Sequence, residues 1–174
     1  QSLSDEELRP LLQLDNPDIQ VLACIAAEHG SSSDPTLRYA CQRLWHSPMD
    51  EQTQWIIVRG ISFTGNHKLI PLLREILTNA TPTVKKEALQ SLVTLNPVGN
   101  QALADLATSE LDHPDRNVRI AAIELLGTIR SLKHLEIITT RGLEDLNLDV
   151  RLKAAVACAN YGDRSLPQLV PYLN

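Results

Sequence analysis

No run of apolar residues in this 174-residue chain approaches the ~18 that a membrane-spanning helix requires, so insertion into a bilayer is not expected. A basic footprint is missing as well. The longest basic run is Lys85-Lys86, and the net charge of −5 is spread evenly, with eleven acids and eight bases in residues 1–87 and ten and eight in residues 88–174. Nucleic acid is held through neutralised phosphates, so it is not the expected direct ligand. Cysteine is scarce: Cys24, Cys41 and Cys158, with no CxxC. An odd count in helix-like segments does not describe a disulfide framework. The three read as small buried hydrophobes, with a Cys24–Cys41 bridge in an oxidising compartment as the alternative. There is no initiator Met and no signal or transit segment. The expected location is therefore cytoplasmic, or that of the mature form of an exported protein. Also absent are HExxH, a Gly-rich phosphate loop, GxSxG and an EF-hand loop, so neither an enzyme nor a cofactor is expected.

What the chain does contain is a period. Val84-Lys85-Lys86-Glu87-Ala88 recurs as Val118-Arg119-Ile120-Ala121-Ala122 and as Val150-Arg151-Leu152-Lys153-Ala154, at intervals of 34 and 32 residues. Weaker copies start at Ile19 and, by position only, at Gln52. Each anchor heads a 3.6-residue apolar stripe; from Val118 it runs through Ala122, Leu125, Leu126 and Ile129. The small residue four places after the anchor lets two helices cross closely. Between anchors, Leu37, Leu69, Leu103 and Leu135 head a second set of stripes.

Punctuation agrees with this reading. Pro17, Pro35, Pro48, Pro82, Pro97 and Pro114 fall between stripes, and Ser4-Asp5-Glu6-Glu7 has capping-box spacing. The β-rich run Trp55-Ile56-Ile57-Val58 lies inside a helical stripe and is read as helix. The expectation is an all-α right-handed solenoid of eleven helices in a single domain over 1–174. Its five hairpins fall at about 4–30, 34–64, 66–95, 99–130 and 133–161, with a terminal helix at 165–174.

The segment Asp115-Arg116-Asn117-Val118-Arg119 through Gly127, and Asp149-Val150-Arg151 with Ala154-Ala155, resemble the second helix of a HEAT repeat of the PBS-lyase-like type. The resemblance implies an armadillo-like helical fold and an inter-repeat ladder of Asp115, Arg119, Asp149 and Arg151. It also implies a tendency to bind proteins, while fold alone assigns no function. Among HEAT-like relatives, bilin lyases bind a tetrapyrrole and alkylpurine glycosylases use a basic concave face that this charge does not supply. The di-iron hydroxylases use His-Glu pairs, and no His-Glu dipeptide occurs here.

His46/His67 and His113/His134 share a separation of 21, which invites a metal site. Stacked first helices run parallel, placing the members of each pair at opposite ends, so surface or capping histidines are expected. Trp45 aligns with Leu77, Leu111 and Leu143 and is expected in the core.

The second-helix face is the candidate binding surface, expected to be concave and to take a protein or peptide partner without catalysis. Positions two, three and six after each anchor should point outward; Gln54, Trp55, Val58, Lys86, Gln90, Ile120, Glu124, Leu152 and Val156 are the candidate contacts, and Glu87, Ala121 and Lys153 complete the set. Trp55 is either an exposed interface anchor or, after a one-residue register shift, a core residue. An accessory lyase-like or cofactor-handling protein is the alternative function, and a nucleic-acid binder ranks below it. Helix 17–29 is apolar nearly all round, and the last helix lacks a mate. The chain is therefore expected to be part of a longer protein or to self-associate through its ends.

Overall fold

In the computed structural model, residues 10, 45–46, 48–63, 67–95, 97–165, 167 and 170 are described, and every regular element among them is helical. Two compact units divide the chain at Leu95/Asn96, between the third and fourth expected hairpins.

In the first unit, α1 spans Glu51–Phe63, a 3-10 turn at His67–Leu69 leads into α2 (Ile70–Asn79), and α3 spans Pro82–Thr94. Pro71 and Pro82 stand in the first turns of α2 and α3, where a missing N–H removes no helical bond. Asp50 accepts from the Thr53 amide at 2.7 Å, satisfying one of the orphan donors that open α1. Thr81 makes no such cap for α3; its hydroxyl donates to the Glu51 carboxylate instead, tying the start of α3 to that of α1. The apolar sides of α1 and α2 both pack on α3, around Ile57, Ile61, Leu73, Leu77, Ala88 and Leu92. Ser91 is buried in this core, and its hydroxyl donates to the Val58 carbonyl of α1 at 3.0 Å.

In the second unit, α4 (Gln101–Ser109) ends in a 3-10 turn at Glu110–Asp112, and α5 spans Arg116–Ile129. A 3-10 turn at Leu132–His134 opens α6 (Leu135–Ile137), which becomes π-helical over Ile138–Gly142. Helix α7 spans Leu148–Ala159, with a closing 3-10 turn at Gly162–Ser165. Asn100, Asp115 and Asn147 cap α4, α5 and α7 through their side chains, so each long helix begins where the sequence supplies an acceptor. Anchors Val84, Val118 and Val150 lie two residues inside their helices and are buried, as are Ala88, Ala122 and Ala154.

Close approach governs how α5, α7 and the π segment pack. A Cβ on Gly127 of α5 would sit 2.8 Å from the Ala157 Cβ of α7, and one on Gly142 would sit 2.7 Å from that of Ala154. Real side chains do not meet at such distances, so these backbones touch only because the positions lack a side chain. The π turn falls at one of the two contacts and carries Gly142 to α7.

Among the described residues, the second helices expected from Val84, Val118 and Val150 appear where their stripes begin, and a helix spans the weak copy at Gln52. Helix 17–29, Cys24, Cys41 and most of the first two hairpins and terminal helix lie outside the described residues. Cys158 is free and buried, which pushes its thiol pKa up. Trp45 is half-buried rather than fully packed. The Tyr161 hydroxyl donates to the carbonyls of Leu126 at 3.1 Å and Ser131 at 3.3 Å. Burial, with a smaller effect of Cys158, pushes its pKa up to about 12.

Gly127→Ala tests the contact by setting two effects against each other. Alanine gains roughly 1 kcal/mol of helix propensity, whereas overpacking costs about 1–3 kcal/mol. The expected net result is a fall in melting temperature of about 2–6 °C. Ala157→Gly should cost less in the Gly127→Ala protein than in the parent, which a double-mutant cycle by thermal denaturation measures.

Candidate protein-binding surface

The outward positions are set by helix register. In α3 the buried residues are Val84, Ala88, Leu89, Ser91 and Leu92; in α1 they are Ile57, Val58, Gly60 and Ile61. Matching the two sets puts the α1 anchor at Thr53 rather than Gln52. Val58 then belongs to the core, where it is 0% exposed, and cannot line the surface. Arg59 takes the outward place assigned to it. The one-residue shift leaves Trp55 on the outward row, equivalent to Lys86, Ile120 and Leu152, and half-buried rather than enclosed. Ala121 was expected to face outward and is 1% exposed, because the third position after the anchor turns toward the neighbouring helix.

In the first unit this row holds Trp55 and Arg59 on α1 and Lys86 and Gln90 on α3, with Gln54 half-buried beside it. The Arg59 guanidinium carbon lies 5.0 Å from the Trp55 ring centroid, a cation–π contact. A cavity of about 280 Å³ is lined by Glu51, Gln52, Trp55 and Thr83, so one flank of the tryptophan borders open space. In the second unit the row holds Ile120 and Glu124 on α5 and Leu152 and Val156 on α7. Glu124 accepts from the Lys153 ammonium at 3.3 Å, while Leu152 and Val156 are 57% and 60% exposed.

Beside the row runs a set of ion pairs. Asp115 caps its own helix, accepting from the Asn117 amide at 2.7 Å. The Arg119 Nη1 donates to the carbonyls of His113 and Pro114, while Nε and Nη2 fork onto Asp145 at 2.8 and 3.0 Å. Arg151 repeats half of this pattern, its Nη1 donating to the carbonyls of Asp145 and Leu146. Asp149 accepts from Arg116 at 3.1 Å. Among the residues of the expected ladder, the bonds that cross between hairpins therefore pair Arg119 with Asp145 and Arg116 with Asp149. Asp145 escaped the sequence reading because its position, five before the anchor, holds His113 and Asn79 in the preceding hairpins. Burial pushes the Asp145 carboxyl up, but hydrogen bonds from Arg119 and the Asn147 amide, with the charges of Arg119 and Arg151, hold it below its ordinary value.

His46 and His67 are exposed, and His113 Nδ1 accepts from the Asp115 amide at 3.0 Å, as expected of surface or capping histidines. His134 departs from that expectation. It is 1% exposed, with Nδ1 2.8 Å from the Ser131 hydroxyl and Nε2 2.8 Å from Asp105. The order Asp105–His134–Ser131 matches that of a nucleophilic triad. Ser131, however, is 4% exposed and its hydroxyl lies 2.9 Å from Gln101 Oε1, so no substrate reaches it. The cluster joins α4 to the turn before α6. The His134 hydrogen bond, followed by that of Lys133, lowers the Asp105 pKa. Among the described residues no group of three His, Cys, Asp or Glu side chains could hold a metal ion. Nor is any described helix long and apolar enough to cross a membrane.

Comparison with known proteins places this geometry. Residues 101–174 match the family model for HEAT repeats. No curated protein matches the chain. Among solved structures, a chain of the complex of CpcE and CpcF of phycocyanin lyase from Nostoc sp. PCC7120 superposes with a TM-score of 0.70 at 20% identity, over 93% of this chain and 66% of that one. Two engineered proteins superpose with TM-scores of 0.59 and 0.61 at 18% identity, each over 97% of this chain and over 85% and 51% of their own lengths. At these identities the likeness is one of fold.

Asp50, Asp105 and Asp145 all have lowered pKa values, so each contributes stability above the usual carboxylate range that is lost as pH falls through its folded value. The melting temperature should hold from about pH 8 to about pH 5 and fall below about pH 4. Asp145→Asn strands a guanidinium that is largely shielded from water and should cost roughly 3 kcal/mol at pH 7. It should also shrink the acid-side fall, read from melting curves across that range.

Proposed function

We propose that this protein is a non-catalytic scaffold that binds a protein partner along the outward row of its second helices, a reading supported by the match of residues 101–174 to the family model for HEAT repeats. The observation that carries this reading is the make-up of the row. Trp55, Ile120, Leu152 and Val156 occupy positions where the equivalent residues of other hairpins are Lys86, Gln90 and Glu124, so packing does not require an apolar side chain there. A half-open aromatic beside a cavity, with polar neighbours at its edge, has the character of an interface anchor. Solenoids commonly bind through this helix face. The phycocyanin lyase chain of similar fold was itself solved in a complex of two proteins.

That likeness also supports a second reading, an accessory lyase-like protein that handles a cofactor. The two differ in what accompanies the protein on isolation from its native source: a polypeptide for the scaffold, a coloured or ultraviolet-absorbing small molecule for the lyase-like protein. Retention on heparin that is lost with salt would instead mark a nucleic-acid binder.

The scaffold reading is tested by affinity capture with the parent protein, Trp55→Ala, Ile120→Glu and, as a control on the first-helix surface, Arg74→Gln. A partner bound by the parent and the control should be weakened at least tenfold by Trp55→Ala or Ile120→Glu, with helicity by circular dichroism unchanged. A partner held equally by all four proteins would remove the second-helix face from the reading.

A further inference from the structure

The two units use the charges of their second helices differently. In the second unit Arg116 meets Asp149, Arg119 meets Asp145 and Lys153 meets Glu124, while Arg151 donates to carbonyls. In the first unit the outward row of α1 and α3 holds two cations, Arg59 and Lys86, and no acid. Among the described residues neither cation meets a carboxylate. The contrast is sharpest at one pair of positions. Glu124 and Lys153, bonded across α5 and α7 at 3.3 Å, correspond to Arg59 and Glu87 across α1 and α3. Opposite charges stand at these places again, yet Arg59 lies over the Trp55 ring, at 5.0 Å, and makes no bond to Glu87.

Stacking decides what Arg59 can still do. A helical side chain lies over the turn before its own, so Arg59 leans back onto Trp55. A guanidinium laid over a ring keeps its N–H donors in its own plane, open to an acceptor. Holding it there also removes rotamer freedom that a carboxylate partner would otherwise have to quench. Lys86 stands across the groove, at the place on α3 equivalent to Trp55. The two helices run side by side in one direction, since Thr81 ties their starts and Ser91 their later turns. Packed helices lie ~8–10 Å apart and four residues add ~6 Å along the axis, which separates Arg59 from Lys86 by roughly 11 Å. Three residues of an extended chain cover about that distance. The cavity beside Trp55, at about 280 Å³, falls just under the ~300–1,000 Å³ of small-molecule pockets and suits one apolar side chain.

We infer that the partner presents an acidic segment to α1 and α3. Two of its carboxylates, about three residues apart, engage Arg59 and Lys86, and an apolar side chain of the same segment enters the cavity at Trp55. This rests on the reading of the row as a protein-binding face and names the chemistry of what that face takes. Two uncommitted cations on a row without an acid, in a chain of net charge −5, are the charge complement of such a segment. A basic segment would meet like charge at both places. Arg59 can take a carboxylate through two parallel bonds, Lys86 as a point charge. Glu87, half-buried one residue round from Lys86, weakens the pull on the acidic partner. Two side chains are too small a footprint to neutralise a run of phosphates, which sets nucleic acid aside.

Fluorescence anisotropy of three labelled peptides, titrated with the intact chain, tests this. The first peptide repeats two glutamates and one phenylalanine; the others carry glutamine or lysine in place of glutamate. The glutamate peptide should bind roughly tenfold more tightly than the glutamine peptide, and the lysine peptide more weakly still. Arg59→Gln and Lys86→Gln should each weaken the glutamate peptide roughly threefold and flatten its salt dependence, while Glu87→Gln should tighten it. Arg74→Gln should leave it unchanged, with helicity the same in every variant. Glutamate and glutamine peptides bound equally, and both lost in Trp55→Ala, would overturn the acidic partner and leave the protein-binding row standing. A glutamate peptide indifferent to Arg59→Gln and Lys86→Gln would overturn it too. So would no binding of any peptide up to about 1 mM, or tighter binding of an oligodeoxythymidylate of equal charge. Failure of the row itself is read separately, from capture indifferent to Trp55→Ala.

Discussion

The second unit depends on two places where a side chain is missing. Gly127 against Ala157, and Gly142 against Ala154, set the distance between successive hairpins. Every larger contact in the unit is made at that spacing. With the backbones close, the Arg119 guanidinium reaches Asp145 across the gap and Tyr161 reaches two carbonyls of the preceding hairpin. Widening the gap by one methyl group would strain these bonds together, because close-packed interiors have few ways to absorb added volume.

Polar groups inside the structure do directional work that apolar packing cannot. Ser91 fixes the register of α3 against α1 through one carbonyl, and the buried His134 spans from Ser131 to Asp105. The Ser91 bond to Val58 and the His134 bond to Asp105 each join segments about thirty residues apart, one repeat along the chain. The satisfied polar groups therefore mark the repeat as surely as the apolar stripe does, and they specify which hairpins are neighbours.

The stripe and its punctuation were legible because helix formation is local: a period of 3.6, a capping Asp or Asn, a proline in the first turn. The small residue four places after each anchor was legible for the same reason. Trp55 was legible only as an alternative, outward anchor or core, because its copy of the pattern is weak; with the anchor at Thr53 it falls on the outward row, half-buried. Val58 was lost to the core in that same shift, since one residue is 100° of helix and no residue type near Gln52 marks the phase. Asp145 and His134 could not be read at all. Their importance comes from partners a repeat away, and neither belongs to the repeated motif. The glycine contacts were out of reach for a related reason, as Gly127 and Gly142 resemble ordinary helix-end glycines until the facing alanines are seen.

Arg119 divides its donors between a local task and a distant one, and this bears on how the unit yields under force. One nitrogen ties the turn of its own hairpin while two others hold the next hairpin through Asp145. If a pull on the chain end were to break the fork to Asp145, the turn bonds to His113 and Pro114 would remain. The last hairpin could then peel away without unravelling the one beneath it, and could settle back onto a surface that had kept its shape. A lysine has one nitrogen and could not separate the two tasks in this way. The planar, many-donor guanidinium thus keeps the bonds of its own turn independent of those to the next hairpin.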